Sequence, residues 1–163
     1  MIYIRKAVVN DLPVLMELFE AGKRIMRQSG NTKQWTNGYP GKDLISNDIE
    51  NGYCHVCIDE KERIIGTFAF IKGADPTYAT IYQGAWRNDE KPYATIHRLA
   101  STEDSHGVAE ACINWCSQQI DNLRADTHRD NHILQHILTK HGFHYCGIIY
   151  LLNGDERLAY QRV

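Results

Sequence analysis

Ala94-Thr-Ile-His97-Arg-Leu-Ala100-Ser-Thr-Glu-Asp104-Ser-His-Gly107-Val-Ala-Glu-Ala111-Cys-Ile-Asn-Trp115-Cys-Ser-Gln118 holds a strand, a turn and a helix in one run. The opening residues are β-prone. From Val108 onward the apolar residues Val108, Ala111, Cys112, Trp115, Cys116 and Ile120 recur at helical spacing and form one face. Between strand and helix lies a polar turn that ends at Gly107. A helix entered through such a turn presents unpaired N–H groups and the positive end of its dipole. Phosphate or pyrophosphate suits that place, and a glycine there also serves plain packing.

The flanking sequence repeats this alternation of strand and helix. Ile2 to Ala7 reads as a first strand. Asn10 or Asp11 caps a helix that has Pro13 in its first turn and runs to about Met26. Gln28 to Lys42 is an aromatic loop carrying Trp35 and Tyr39, either a substrate wall or a plug for the core. A short helix from Asp43 to Asn51 follows. Tyr53 to Asp59 and Arg63 to Ile71 then form a hairpin. Gly73 to Trp86 holds a second aromatic cluster with Tyr82 and Trp86. Pro92 to Ala100 is the next strand, and Leu123 to Ala125 another. Asp130 to Lys140 is a helix with Ile133, Leu134, Ile137 and Leu138 on one side. Phe143 to Leu152 and Arg157 to Gln161 close the chain as strands turning at Asn153-Gly154. The order β-α-α-β-β-β-α-β-α-β-β predicts an α/β (α+β) fold in one domain, residues 1–163. Its sheet is mixed and mainly antiparallel, of about seven strands, with helices on both faces.

Composition narrows the function classes. A chain of 163 residues with 43% hydrophobic content can bury a real core. A net charge of −2 gives no pull toward nucleic acid or an acidic membrane. No apolar run approaches a transmembrane length. Met1-Ile-Tyr-Ile-Arg-Lys reads as a strand, without a signal-peptide pattern. Five cysteines in apolar segments read as reduced thiols, hence a cytoplasmic protein.

Three local motifs, together with the element order, resemble the GNAT family of N-acetyltransferases over essentially the whole chain. They are the turn Asp104-Ser-His-Gly107-Val-Ala109, the helix head Asp126-Thr-His-Arg-Asp130-Asn131, and Lys140-His-Gly142-Phe143 followed by Tyr145-Cys-Gly147. The resemblance implies an acyl-CoA N-acyltransferase fold and acetyl transfer from acetyl-CoA to an amine by direct attack on the thioester. It implies that Leu99, Ala100, Ser101, Ser105, His106, Gly107, Val108, Ala109 and Asn131 hold coenzyme A, as co-substrate and without a metal. A backbone N–H near Leu99 or Ala100 would meet the oxyanion. The sequence departs from the family in three ways. Asp104 stands where the family has Gln or Arg, the turn is one or two residues short, and Leu138 replaces a tyrosine that protonates the leaving thiolate. Tyr145 or a histidine would then supply that proton. On these departures, a non-catalytic or weakly active ligand-binding protein of the same fold is the alternative.

His97 is the candidate general base, since an ordinary imidazole titrates near neutrality. A sheet histidine bonded to a neighbour is the plainer reading, and Tyr93 and Asp89 are alternatives. Arg98 alternates with His97, so the two point to opposite faces and only one of them can look at the substrate. Trp35, Tyr39, Tyr82, Trp86 and His128 are the expected acceptor pocket, whose aromatic walls favour a small-molecule amine. Asp126 lies at the same strand exit as His128. Asn131 either caps its helix or also contacts the cofactor. His128, His132 and His136 recur every four residues, with His132 and His136 on one helical face, but no third zinc ligand is evident nearby except His141 or His144. Cys54 and Cys57 fall on opposite faces of a strand, so Cys-x-x-Cys does not chelate there. A homodimer is the expected assembly if any forms.

Overall fold

The computed structural model describes residues 1–163. Seven strands form one sheet in the order β1-β2-β3-β4-β5-β7-β6. They are β1 (Tyr3–Lys6), β2 (Cys54–Ile58), β3 (Ile64–Lys72), β4 (Ala94–Ser101), β5 (Leu123–Thr127), β6 (His144–Tyr150) and β7 (Glu156–Arg162). The helices are α1 (Leu12–Gln28), α2 (Lys42–Glu50), α3 (Val108–Gln119) and α4 (His132–Lys140). Every strand pair is antiparallel except β4 with β5. The element order and the mixed sheet are those expected from sequence. α1 runs two residues further than expected, and β4 begins at Ala94 rather than Pro92.

The period-two pattern of β2 sorts the two cores. Cys54, Val56 and Ile58 face Leu15, Phe19 and Ile45 of α1 and α2. Cys57 points the other way, into the cluster of Val108, Cys112, Ile113, Cys116 and Leu138 from α3 and α4. A third cluster, with Tyr78, Trp86, Ile149 and Ala159, covers β6 and β7. The loop after β3 reaches it by crossing the outer edge of β6. Tyr82 exchanges two main-chain hydrogen bonds of 2.8 Å with Ile148 there. Glycine makes this approach possible: a Cβ on Gly84 would lie 1.9 Å from the Cys146 carbonyl oxygen.

The central pair is the exception in the sheet. β4 and β5 are in register only at Ala94 with Leu123 and Thr95 with Arg124. Beyond these the two strands diverge, while β4 stays paired with β3 and β5 with β7. The inner edge of β4 from Ile96 to Ser101 is therefore left without a strand partner. On its other side β4 carries a bulge, where the register with β3 slips between Thr67 and Ala69. Arg98 sits there at φ 54°, a left-handed conformation uncommon for a non-glycine residue.

Candidate active site

The divergence of β4 and β5 opens a cleft of about 730 Å3 through the sheet. On one side its walls are Val108, Ala109 and Ile113 of α3 with Ile133, Leu134, Ile137 and Leu138 of α4. On the other they are Trp35, Tyr39, Asp75, His97, Asp126 and Arg157. A cleft lined this way admits two reactants from opposite faces.

His97 and Arg98 both line it. The bulge overturns the expectation that only one of them could, because the extra residue breaks the alternation. His97 Nε2 lies 3.1 Å from Asp75 Oδ2. Asp75 Oδ1 accepts hydrogen bonds from the Thr77 N–H at 2.8 Å and the Thr77 hydroxyl at 2.7 Å. Burial pushes the Asp75 carboxyl up, but the bonds from His97 and Thr77 outweigh it and hold it at about 2. An ionised carboxylate only accepts hydrogen bonds. It therefore fixes the proton on Nε2 and leaves the Nδ1 lone pair of His97 free. Tyr93, an alternative base from sequence, instead supports this pair: its hydroxyl accepts the Asp75 N–H at 2.7 Å.

Arg98 is anchored from outside the cleft. Nε and Nη2 donate to the two oxygens of Asp48 in α2 at 2.8 and 3.1 Å, and Nη1 donates to the Tyr39 hydroxyl at 3.2 Å. Burial works against this guanidinium charge, yet Tyr39 and Asp48 raise its pKa above the ordinary value. The bidentate pair ties the bulge of β4 to α2. On β5, Asp126 accepts a 2.5 Å hydrogen bond from the Tyr78 hydroxyl. Burial and that carboxylate push the Tyr78 phenol far up, so it stays a donor.

The loop between α1 and α2 crosses the cleft. The Arg27 guanidinium holds its carbonyl oxygens at Asn31, Gln34 and Trp35. Gln34 Oε1 accepts from Asn131 Nδ2 at 3.1 Å, bridging the loop to the head of α4. Asn131 Oδ1 meanwhile accepts the Leu134 N–H, so its cap role is realised. Trp35 packs edge-on against Phe19 and also lines the cleft, doing both things the sequence left open.

The sequence-derived cofactor residues divide. Leu99, Ala100, Ser101, Val108, Ala109 and Asn131 line the cleft. Gly107 is the N-cap of α3 at φ 83°, and the first free N–H groups of that helix follow it. Ser105 and His106 do not face the cleft; they line a separate cavity with Ile2, Asp59 and Arg63. Asp104 is exposed on that same side, so its charge is not directed into the cleft. Arg24 of α1 pairs with Glu103 at 2.8 Å and offsets the other carboxylate of the turn.

Four further expectations are corrected. Tyr145 is half exposed on β6 against Tyr160, outside the cleft, because the sheet order puts β7 between β6 and β5. Tyr82 meets Tyr150 edge-on at the covered outer edge of β6. Trp86 is buried, donating to the Tyr78 carbonyl and covering the Arg124 guanidinium at 3.9 Å. His128 turns into its own loop, where Nδ1 accepts the Asp130 N–H. Asp89, an alternative base, is spent on Arg124. No group of three or more metal-ligating side chains gathers anywhere in the chain.

Asp75, Gln34, Asp48 and Arg157 were not foreseen. For Asp75 the signal was legible: Asp75-Pro76-Thr77 is a short capped turn. Gln34 and Asp48 find partners on distant elements, and Arg157 reaches the cleft only through the order of the strands.

No sequence model of a protein family matches the chain, and no curated protein matches it in sequence. Solved structures do. A GNAT-family acetyltransferase from Streptococcus agalactiae superposes with a TM-score of 0.91 at 34% identity, over 99% of this chain and 95% of that one. One from Listeria monocytogenes follows with 0.71 at 19%, over 99% and 94%. A NatC complex bound to Gag peptide and CoA shares the fold at 0.58 and 14%, over 99% and 97%. With the open β4–β5 cleft, the bulged strand beside it and this full-length likeness at 34% identity, the chain belongs to the GNAT family of acetyltransferases.

Proposed function

We propose that the protein transfers the acetyl group of acetyl-CoA to the amine of a small molecule. The observation that carries this reading is the His97–Asp75 pair on the wall of a cleft bounded by an unpaired strand edge. The free main-chain groups of Ile96 to Ser101 suit the amides of a pantetheine arm, which would join the sheet as a strand does. The N-terminus of α3 suits the pyrophosphate, with Val108 and Ala109 already at the wall.

The chemistry needs little beyond placement. The amine nitrogen attacks the thioester carbonyl, the C–N bond forms and the C–S bond breaks. The amine proton passes to Nδ1 of His97, whose Nε2–H stays on Asp75. The thiolate takes its proton from solvent or from the His97 imidazolium. Trp35 and Tyr39 form the aromatic part of the acceptor side.

Calorimetric titration with acetyl-CoA, then thiol release across an amine panel, tests the reading. Saturable binding and amine-dependent release are expected. The absence of binding heat at millimolar acetyl-CoA would remove it.

A further inference from the structure

Five aspartate and arginine side chains line the cleft: Asp75, Arg98, Asp126, Asp155 and Arg157. Four have a side-chain partner. Asp75 has His97 and Thr77, Arg98 has Asp48, Asp126 has Tyr78 and Asp155 has Asn153. Arg157 has none. Its one hydrogen bond goes from Nη1 to the carbonyl of the adjoining Glu156, at 2.8 Å. No carboxylate oxygen lies within 4.0 Å of its guanidinium. The residue is nevertheless only 8% exposed. A guanidinium does not shed its charge, and burying it without a counter-ion is costly.

The position of Arg157 says which reactant would complete it. In the β6–β7 ladder it stands opposite Ile149. Ile149, and Ala159 two residues along β7 from Arg157, belong to the cluster built on Tyr78 and Trp86. The ring of Tyr78 in turn lies 6.3 Å from that of His97. Arg157 thus projects on the face that carries His97 and Asp75. The helical walls and the α3 N-terminus lie on the other. An anion on Arg157 therefore comes with the acceptor and not with the pyrophosphate.

We infer that the acceptor is an amine that also carries a carboxylate, an amino acid or close relative, held by Arg157 while its nitrogen faces His97. The planar fork of arginine matches a carboxylate with two parallel hydrogen bonds. Asp126, on the same face, favours the ammonium end as it arrives. This specificity rests on the acetyl-transfer reading above, but the binding it requires is measurable without acetyl-CoA.

The experiment has two arms. In the first, thermal unfolding is followed with the standard protein amino acids and ω-amino acids at millimolar concentration. Each is compared with its methyl ester and its decarboxylated amine. At least one acid is expected to raise Tm where its ester and amine do not. Arg157→Gln is expected to lose that rise, and Arg157→Lys to keep part of it. In the second arm, thiol release gives kcat/KM for acid and ester. The acid is expected to lead by at least about tenfold, a gap that closes in Arg157→Gln. Esters that match their acids, or a variant that keeps the preference, would overturn the inference. Should Arg157→Gln fail to fold, the wild-type acid-to-ester ratio and the lysine variant decide. A protein that binds acids but neither binds nor turns over acetyl-CoA would instead sink the transferase reading alone.

Discussion

Replacing Asp75 with asparagine tests the proposed catalytic pair at the atom that matters. In the wild type, the carboxylate accepts from His97 Nε2 and leaves the Nδ1 lone pair of this cleft-lining ring free. The Thr77 N–H and hydroxyl occupy Oδ1. The variant retains its amide oxygen for Thr77, so its NH2 group falls opposite Nε2. An amide NH2 donates, so His97 must now accept at Nε2 and carry its proton on Nδ1. That tautomer cannot take a proton from the amine. A positioned general base contributes about 10²–10⁴-fold, so kcat/KM for the amine is expected to fall about a hundredfold or more. Acetyl-CoA affinity, which the proposed function assigns to β4 and α3, is expected to stay within about twofold. Thiol release against pH, with calorimetry for acetyl-CoA, measures both. If Asp75→Asn keeps its kcat/KM and its pH profile, the base assignment is wrong.

The same substitution has a stability component with a definite sign. Asp75 is held at about 2, below its ordinary 3.8, so the folded state favours its ionised form. That stability is fully present above pH 3.8 and is lost as pH falls toward 2. At about 1.4 kcal/mol per tenfold change in proton affinity, and with solvent screening this half-buried pair, the gap corresponds to about 2 kcal/mol at most. Wild type minus Asp75→Asn, from denaturant melts between pH 5 and pH 2, should therefore shrink by about that amount. A difference that stays flat over this window would show that the carboxylate is not held as described.

Other perturbations address the frame of the site. Asp48→Ala leaves the Arg98 guanidinium, whose side chain is 10% exposed, without its bidentate partner. A loss of about 3–5 kcal/mol in denaturant melts is expected. Gly66→Ala would put a Cβ 2.4 Å from Val108 Cγ1 and 3.3 Å from the Ala100 carbonyl. Overpacking there costs about 1–3 kcal/mol and displaces the start of α3, so KM for acetyl-CoA should rise more than KM for the amine. All five cysteines are buried, and burial pushes the Cys57 thiol up to about 12. The native protein should resist thiol reagents until it unfolds, and rapid native labelling would contradict the packing described.

Much of the fold was written in short-range pattern. The spacing of Leu12, Leu15, Leu18 and Phe19 marks α1, and those side chains are buried. The alternation through Cys54, Val56 and Ile58 marks β2 and sends Cys57 to the opposite core. The turn at Asn153-Gly154 joins β6 to β7 as expected. Sheet order is a different kind of information. Nothing local in Phe143 to Gln161 says that β7 inserts between β5 and β6. That insertion carries Tyr145 to the rim and Arg157 to the cleft.

The aromatic residues show the same limit from another side. Trp35 and Trp86 are equally buried, each in a loop, and composition cannot tell them apart. Gly22 distinguishes Trp35. A Cβ at Gly22 would sit 3.0 Å from the Trp35 ring and 3.5 Å from Ala100, so the missing side chain lets the indole reach β4 and the cleft. Trp86 instead finds Arg124, a guanidinium that is 1% exposed and sandwiched at 3.9 Å from both Trp86 and Tyr93. That sandwich braces β5 at Leu123–Arg124, where β4 is still paired to it. Beyond it, the Arg98–Asp48 pair holds the bulge of β4 to α2 while β7 holds β5. The opening is thus set by clamps on either side of it. A site made in this way depends on pairs many residues apart, Arg98 with Asp48 and Asp75 with His97. A reading from spacing alone finds one member of each and misses the other.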